Sequence, residues 1–159
     1  GVDNLLEIAK LCPEIHFDVI GRVDPQMQGI VDELKKLPNV FLNNNYVSDD
    51  EMKEAFINAD WVILPYNSAS QSGVIIDAYK YSRPVIAFDV GAISEQIDEN
   101  TSGFLVKYKN NKNFAMTIDK GIKSCNEKYC LMCNRAYYYG LKKYGSMDAI
   151  SRFTTMLKK

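Results

Sequence analysis

The densest set of residues able to do chemistry is Asn67-Ser68-Ala69-Ser70-Gln71-Ser72-Gly73-Val74, between an apolar run and a helical pattern. Small side chains here let the backbone come close to a bound group. The first N–H groups of the following helix lack internal acceptors and sit at the positive end of its dipole. That combination suits an anion, a phosphate or a diphosphate. Asp77 lies one turn further on, where a carboxylate can accept hydrogen bonds from a ribose. A plainer reading stays open at this point: Ser and Gly start a helix, and Asp is common in a first turn.

Other chemistries find less in the chain. A dinucleotide-binding Gly-x-Gly-x-x-Gly run after the first strand would need glycine at 21, 23 and 26, and only Gly21 fits. There is no Walker-type Gly-Lys-Ser/Thr run. Cys130-x-x-Cys133, with Cys125 nearby, has zinc spacing, but the single histidine, His16, is far along the chain and no second cysteine pair exists. These cysteines read more simply as small hydrophobes on a helix face. A Cys–His nucleophile pair has equally little behind it. No metal and no cofactor are expected.

The elements that must position the loop follow from periodicity. Val2, Leu5, Leu6, Ile8, Ala9 and Leu11 have helical spacing, ended by Pro13. His16 to Ile20 reads as a strand stopping at Gly21. Ile30, Val31, Leu34 and Leu37 make a second helical stripe before Pro38, and Val40-Phe41-Leu42 is a short strand. Ser48-Asp49-Asp50-Glu51 is a capping box opening a helix through Met52, Ala55, Phe56 and Ala59. Trp61 to Leu64 is a continuous apolar run, expected as a strand buried on both faces. A helix follows from about Ser72 to Tyr81, then strands at Pro84 to Phe88 and Gly103 to Val106, and helices from about Asn113 to Met156. Strands alternating with helices predict an α/β domain with a mainly parallel sheet. Ligands of such sheets bind beyond the carboxyl ends of the strands. Function is therefore expected at Gly21 to Asp24, Asn43 to Ser48, Pro65 to Gly73 and Asp89 to Glu95.

With 159 residues, 47% hydrophobic and 25% charged, the chain fits one soluble globular domain. A chain this long buries roughly 70% of its unfolded surface, enough for a core without staples. No apolar run approaches the roughly 20 residues of a membrane span, and no signal-peptide pattern opens the chain. It starts at Gly1, already inside a helical pattern, which is expected of a piece of a longer protein. The net charge of −1 hides an asymmetry. Residues 1–106 hold seven Lys/Arg against seventeen Asp/Glu, and residues 107–159 hold twelve against three, with six of the ten tyrosines. The basic part reads as helices with solvated lysine faces whose tyrosines pack on the body. An anionic membrane surface or nucleic acid is the alternative partner, although no nucleic acid is expected. Four cysteines without a regular framework fit a reducing compartment.

At residues 61 to 106 the string resembles a known family. Leu64-Pro65, Gly73, Asp77-Ala78, Pro84-Val85-Ile86-Ala87, Asp89-Val90-Gly91, Glu95 and Gly103-Phe104-Leu105-Val106 match, in order, the C-terminal half of retaining family-four glycosyltransferases. These are the "group 1" type with the GT-B fold. Val19-Ile20-Gly21, then Val40-Phe41-Leu42 with Tyr46-Val47-Ser48, and Gly1 to Leu6 extend the resemblance over nearly the whole chain. It implies a single Rossmann-like three-layer domain over 1–159, with an α/β body at 1–106 and basic helices at 107–159. It further implies a separate N-terminal acceptor domain, absent from this chain.

On matching positions, Ser70, Gln71, Ser72, Gly73 and Val74 would face the diphosphate and sugar. Asp77 would hold the ribose, Tyr46 and Val47 would lie beside the base, and Gly21 and Arg22 would line the nucleotide side. The partner would be a nucleotide-sugar donor of UDP or GDP type. The whole protein would transfer a hexose with retention to a glycan or glycolipid in surface polysaccharide synthesis. It would work in the cytoplasm, at the inner face of the membrane by peripheral association. The family's Glu-x₇-Glu motif would put carboxylates at 69 and 77, where this chain has Ala69 and Asp77. Ala69 also admits a catalytically silent nucleotide-binding or interaction module. In either case residues 1–159 alone are expected to bind nucleotide weakly without turnover.

Overall fold

The computed structural model describes residues 1–145. The sequence expectation of helices as far as Met156 therefore lies partly outside the described residues. Thirteen elements follow in order: α1 Val2–Leu11, β1 Phe17–Ile20, a 3₁₀ turn Pro25–Met27, α2 Gln28–Leu34, β2 Val40–Asn43, α3 Asp49–Asn58, β3 Val62–Leu64, α4 Gly73–Lys80, β4 Val85–Asp89, α5 Ile93–Gln96, β5 Gly103–Lys107, α6 Asn111–Ile122 and α7 Asn126–Tyr144. Every strand pair is parallel. β1 pairs with β2 in register Phe17↔Val40. β3, β4 and β5 pair in that order, with Val62↔Val85 and Val85↔Gly103. Both hydrogen-bonded sets line one continuous core that holds Ile8, Phe17, Leu64, Ile86 and Phe114. This is the α/β, Rossmann-like layering expected from the alternation of periods.

β4 lies between two partners, and Val85 to Phe88 are fully buried, as a central parallel strand requires. β3 corrects the expectation of burial on both faces. It ends its hydrogen-bonded set, and Val62, Ile63 and Trp61 are only half buried. Trp61 is instead covered by aromatic contacts, with ring centroids 5.6 Å from Phe104 and 5.9 Å from Tyr129.

Helix starts are set by local chemistry. At α3, Ser48 Oγ accepts from the Glu51 N–H at 3.3 Å and Glu51 Oε2 accepts from the Ser48 N–H at 2.7 Å, the reciprocal box seen in the sequence. That backbone bond holds the Glu51 carboxyl below its usual range. α6 begins at Asn111, ahead of the expected Asn113, because the Asn110 side chain accepts from the Asn113 N–H and caps it. α2 is shifted towards the N-terminus of the Ile30–Leu37 stripe, since Asp24 caps a 3₁₀ turn just before it.

α4 is anchored through Tyr79. This residue is fully buried and stands edge-on to Tyr139 of α7, with centroids 5.8 Å apart. Its hydroxyl donates to the Gln96 carbonyl at 3.2 Å and shares a hydrogen bond with Ser102 Oγ at 2.8 Å. Burial pushes its phenol well above the usual tyrosine range. A Tyr79→Phe variant is expected to lose about 1–2 kcal/mol of stability, because the Gln96 carbonyl is left without its buried donor. Urea unfolding at equilibrium reads this as a lower midpoint with an unchanged slope.

Candidate functional site

Two loop groups form at the carboxyl ends of the strands. The first lies beyond β3 and β4. α4 buries Ile75, Ala78 and Tyr79 completely and turns Gly73, Val74 and Asp77 outward. Gly73 and Asp77 are four apart, so they lie on one face, and the Asp77 side chain leans back towards the helix start. The opening N–H groups of Gly73, Val74 and Ile75 have no carbonyl a turn below them. A Cβ built on Gly73 meets nothing within 4 Å, so the space over the helix start is open. Among the described residues, no hydrogen bond or ion pair occupies the Asp77 carboxylate. An exposed helix start with a free carboxylate below it is equipped for a group that is anionic at one end and hydroxylated at the other.

The approach loop to α4 is fixed from β4. Gly91 has φ +55 and passes so close to the loop that a Cβ would sit 1.8 Å from the Ala69 oxygen. The Ala92 N–H donates to that same oxygen at 3.2 Å. Ser70 and Gln71 remain exposed, whereas Ser72 is buried. The Ser72 N–H donates to Gln96 Oε1 at 2.7 Å, so it is not available to a ligand, unlike those of Gly73 and Val74.

The second group joins the ends of β1 and β2. The Gly21 N–H donates to the Asn43 carbonyl at 3.1 Å, and the Val23 N–H to Asn44 Oδ1 at 2.7 Å. Gly21 has φ +125, a backbone shape that glycine adopts without strain. Arg22 is exposed, Val47 half buried, and Tyr46 89% exposed, an aromatic ring with nothing yet against it. No hydrogen bond joins this group to the α4 group among the described residues.

The start of α1 meets the exit of β3. Asn4 is buried and donates to the Pro65 carbonyl at 3.0 Å and to Asn67 Oδ1 at 2.9 Å. Asn67 Nδ2 donates to Asp3 Oδ1 at 2.9 Å, and the Tyr108 hydroxyl donates to Asn67 Oδ1 at 3.1 Å. Partial burial pushes the Asp3 carboxyl up. The Asn67 amide and the Asn4 backbone N–H more than offset this and hold it below the usual carboxylate range. Sequence reasoning placed Asn67 in the candidate loop but missed Asn4 and Gln96, whose one signal is a polar residue among apolar neighbours.

The remaining sequence candidates lie elsewhere. His16 is exposed and pairs with Asp18 at 3.1 Å. Cys125, Cys130 and Cys133 are free thiols on or beside α7, and among the described residues no three potential ligands cluster as a metal site. A cleft of about 440 Å³ opens at the amino ends of β3 and β5, lined by Trp61, Phe104, Lys120, Lys128 and Tyr129 among others. It contains none of the loop residues above, and in a parallel sheet the carboxyl ends carry the ligand.

The family described as "Glycosyl transferases group 1" matches residues 1–124. The chain belongs to this family. The group 1 domain is similar to an uncharacterized 41.2 kDa protein in the cps region of Klebsiella pneumoniae, 27% identical over 131 residues. That match covers 80% of this chain and 35% of the relative, so the chain spans about a third of the curated relative's length. Among solved structures it resembles the C-terminal domain of LpcC, a group 1 glycosyl transferase of Francisella tularensis, with TM-score 0.78 at 19% identity, covering 91% of this chain and 79% of that one. It resembles HepE of Anabaena, solved in complex with UDP, with TM-score 0.83 at 17% identity, covering 99% of this chain and 45% of that one. The fold is thus that of the Rossmann-like C-terminal domain of GT-B glycosyltransferases. Among the described residues, no helix of the group 1 domain is long and apolar enough to cross a membrane.

Proposed function

We propose that the chain is the donor-binding half of a glycosyltransferase and that it takes a nucleoside-diphosphate sugar of UDP or GDP type. The observation that carries this reading is the open start of α4, with Gly73 and Val74 exposed above the free carboxylate of Asp77. The Gly73 and Val74 N–H groups hold the diphosphate, and Asp77 accepts from the ribose hydroxyls. Tyr46 and Val47 lie beside the base, Gly21 and Arg22 line the nucleotide side, and Ser70 and Gln71 face the sugar. As the glycosidic bond to the donor breaks, charge builds on the leaving diphosphate, and fixed N–H donors stabilise it without metal. Membership of the group 1 family and likeness to HepE, whose solved complex holds UDP, support the assignment.

The whole protein, in this reading, is a retaining hexosyltransferase with its acceptor site in a separate N-terminal domain. A relative from a cps region supports a role in surface polysaccharide synthesis. Calorimetric titration of UDP and GDP into wild type and Asp77→Ala tests the site. Loss of a charge-assisted pair of hydrogen bonds is worth about 1.5–3 kcal/mol, so the better-binding nucleotide is expected to weaken roughly tenfold to a hundredfold. Equal affinity for both proteins removes Asp77 from the site. Binding of neither nucleotide favours the silent module that Ala69 admits.

α7 supports peripheral membrane association. Leu131, Tyr138 and Leu141 are 47%, 68% and 48% exposed. They face away from buried Ala136, and Lys128, Arg135 and Lys142 run along one side of the stripe. An apolar stripe beside a basic one fits an anionic lipid surface. Residues 146–159 add three Lys/Arg against one Asp/Glu and so suit the same surface rather than this basic helix face. Sedimentation is expected to recover the chain with phosphatidylglycerol-containing vesicles and not with pure phosphatidylcholine. Tyr138→Glu or raised salt should release it, and equal recovery with both vesicle types contradicts a charge-selective surface.

A further inference from the structure

Gln96 makes an arrangement that neither the loop nor the helix requires by itself. Its side-chain amide brackets one residue of the α4 approach: Oε1 accepts from the Ser72 N–H at 2.7 Å, and Nε2 donates to the Ser72 carbonyl at 3.1 Å. Both residues are more than nine-tenths buried, and the amide spends its two polar ends on the two backbone polar groups of a single residue. Ser72 is the N-cap of α4, extended at φ −133 and ψ 119, and its hydroxyl makes no capping bond. An N-cap carbonyl ordinarily accepts the first bond of its own helix. Here a side-chain amide from α5 holds it, much as a neighbouring strand would.

The bracket is itself anchored. The Gln96 carbonyl accepts from the Tyr79 hydroxyl, which stands on α4 two turns beyond Ser72. Lys143 on α7 donates to the carbonyl of the preceding residue, Glu95. Ile93 and Ile97 on either side are buried. The start of α4 is therefore tied back, through Gln96, to its own second turn. Turning the Ser72–Gly73 peptide would break at least one of the two bracket bonds and leave a buried polar group unpaired. With that peptide fixed, the next two N–H groups, those of Gly73 and Val74, keep one direction: out of the helix start into open space.

We propose that Gln96 is a positioning residue for the donor diphosphate, holding the Gly73–Val74 N–H pair in its binding direction before ligand arrives. This rests on the reading of α4 as the diphosphate site. Donors ordered in advance bind more tightly, since the ligand need not order them. Ser72 is then a strut and not a ligand contact, and a bare nucleoside, lacking phosphates, gains nothing from the bracket.

The test compares UDP, GDP and uridine on the 159-residue chain. Gln96→Met keeps the length and bulk of the side chain without either hydrogen bond. It is expected to weaken UDP or GDP about tenfold, the equivalent of one lost hydrogen bond, while leaving uridine within about twofold. Tyr79→Phe, which removes one anchor of the bracket but keeps both of its bonds to Ser72, should weaken the diphosphate less than Gln96→Met does. Equal loss of UDP and uridine in Gln96→Met assigns Gln96 a general structural role and overturns the proposal. So does unchanged UDP affinity in that variant. Wild-type protein offers a second readout that needs no folded variant. On titration the Gly73 and Val74 amide signals should shift, while the Ser72 amide stays protected from exchange and nearly unmoved. A Ser72 shift as large as that of Gly73 also overturns it. Wild type that binds neither UDP nor GDP removes the donor-site reading and the positioning role together, whereas binding that is insensitive to Gln96→Met removes only the latter.

Discussion

Gly91→Ala is expected to destabilise the domain by roughly 2–4 kcal/mol and to abolish measurable nucleotide binding. Two independent effects converge at this position. At φ +55 any side chain is strained, and the added methyl would sit 1.8 Å from the Ala69 oxygen, a backbone atom that cannot swing aside as a flexible side chain does. Relief requires the loop at Ala69 to move away from the turn at Gly91. That movement breaks the Ala92 N–H to Ala69 carbonyl bond and displaces the approach to α4. Gly73→Ala gives the contrast. Its Cβ meets nothing within 4 Å, and alanine favours a helix over glycine, so the fold should be as stable as wild type or slightly more so. The methyl instead takes space at the helix start, and nucleotide affinity should fall. Urea unfolding and UDP titration on both variants separate the two glycines: one holds the loop, the other leaves room for the ligand.

Phe88→Ala is expected to cost about 3–5 kcal/mol, the range for truncating a fully buried aromatic. Phe88 ends the buried run of β4, with its ring centroid 4.8 Å from Phe114 of α6 and 5.9 Å from Tyr108, both near edge-on. The loss reaches beyond the core, because the Tyr108 hydroxyl donates to Asn67 in the exit loop of β3. A cavity beneath Tyr108 lets it settle inward and away from Asn67. Phe88→Leu, which refills most of the space, should recover the larger part of the stability. A Phe88→Ala unfolding free energy within about 1 kcal/mol of wild type would show that the sheet collapses around the gap, contrary to a tightly packed β4–α6 layer.

The parts of the fold legible in the sequence are those encoded locally. The Ser48–Glu51 box works across three residues of chain, and its geometry is the one its spacing implies. β4 is apolar from Val85 to Phe88 because it has a partner on both edges and layers on both faces. α5 escaped because Ile-Ser-Glu-Gln is too short to display a helical period. β3 looked central because an apolar run states that its residues avoid water, not whether strands or aromatic rings provide the cover. In the site, Gly73 and Asp77 were readable because one helix carries both at a spacing of four. The Gln96 bracket was not, since it joins residues 24 apart through a contact that exists only once β4 and α5 are folded against α4. The Asp3–Asn67 pair, 64 residues apart, is hidden for the same reason. The basic C-terminal part divides: Tyr129 and Tyr139 pack inward as solvated helices require, while Tyr137 and Tyr138 face out.

The most direct measurement of the donor-site account is residue-resolved NMR of the wild-type chain during titration with UDP and, separately, GDP. Saturable shifts are expected with at least one nucleotide, largest at the amides of Gly73 and Val74 and at Asp77, with a second set at Gly21, Arg22, Tyr46 and Val47. The absence of saturable shifts with both nucleotides, or shifts confined to α7 and the cleft around Trp61, would contradict it.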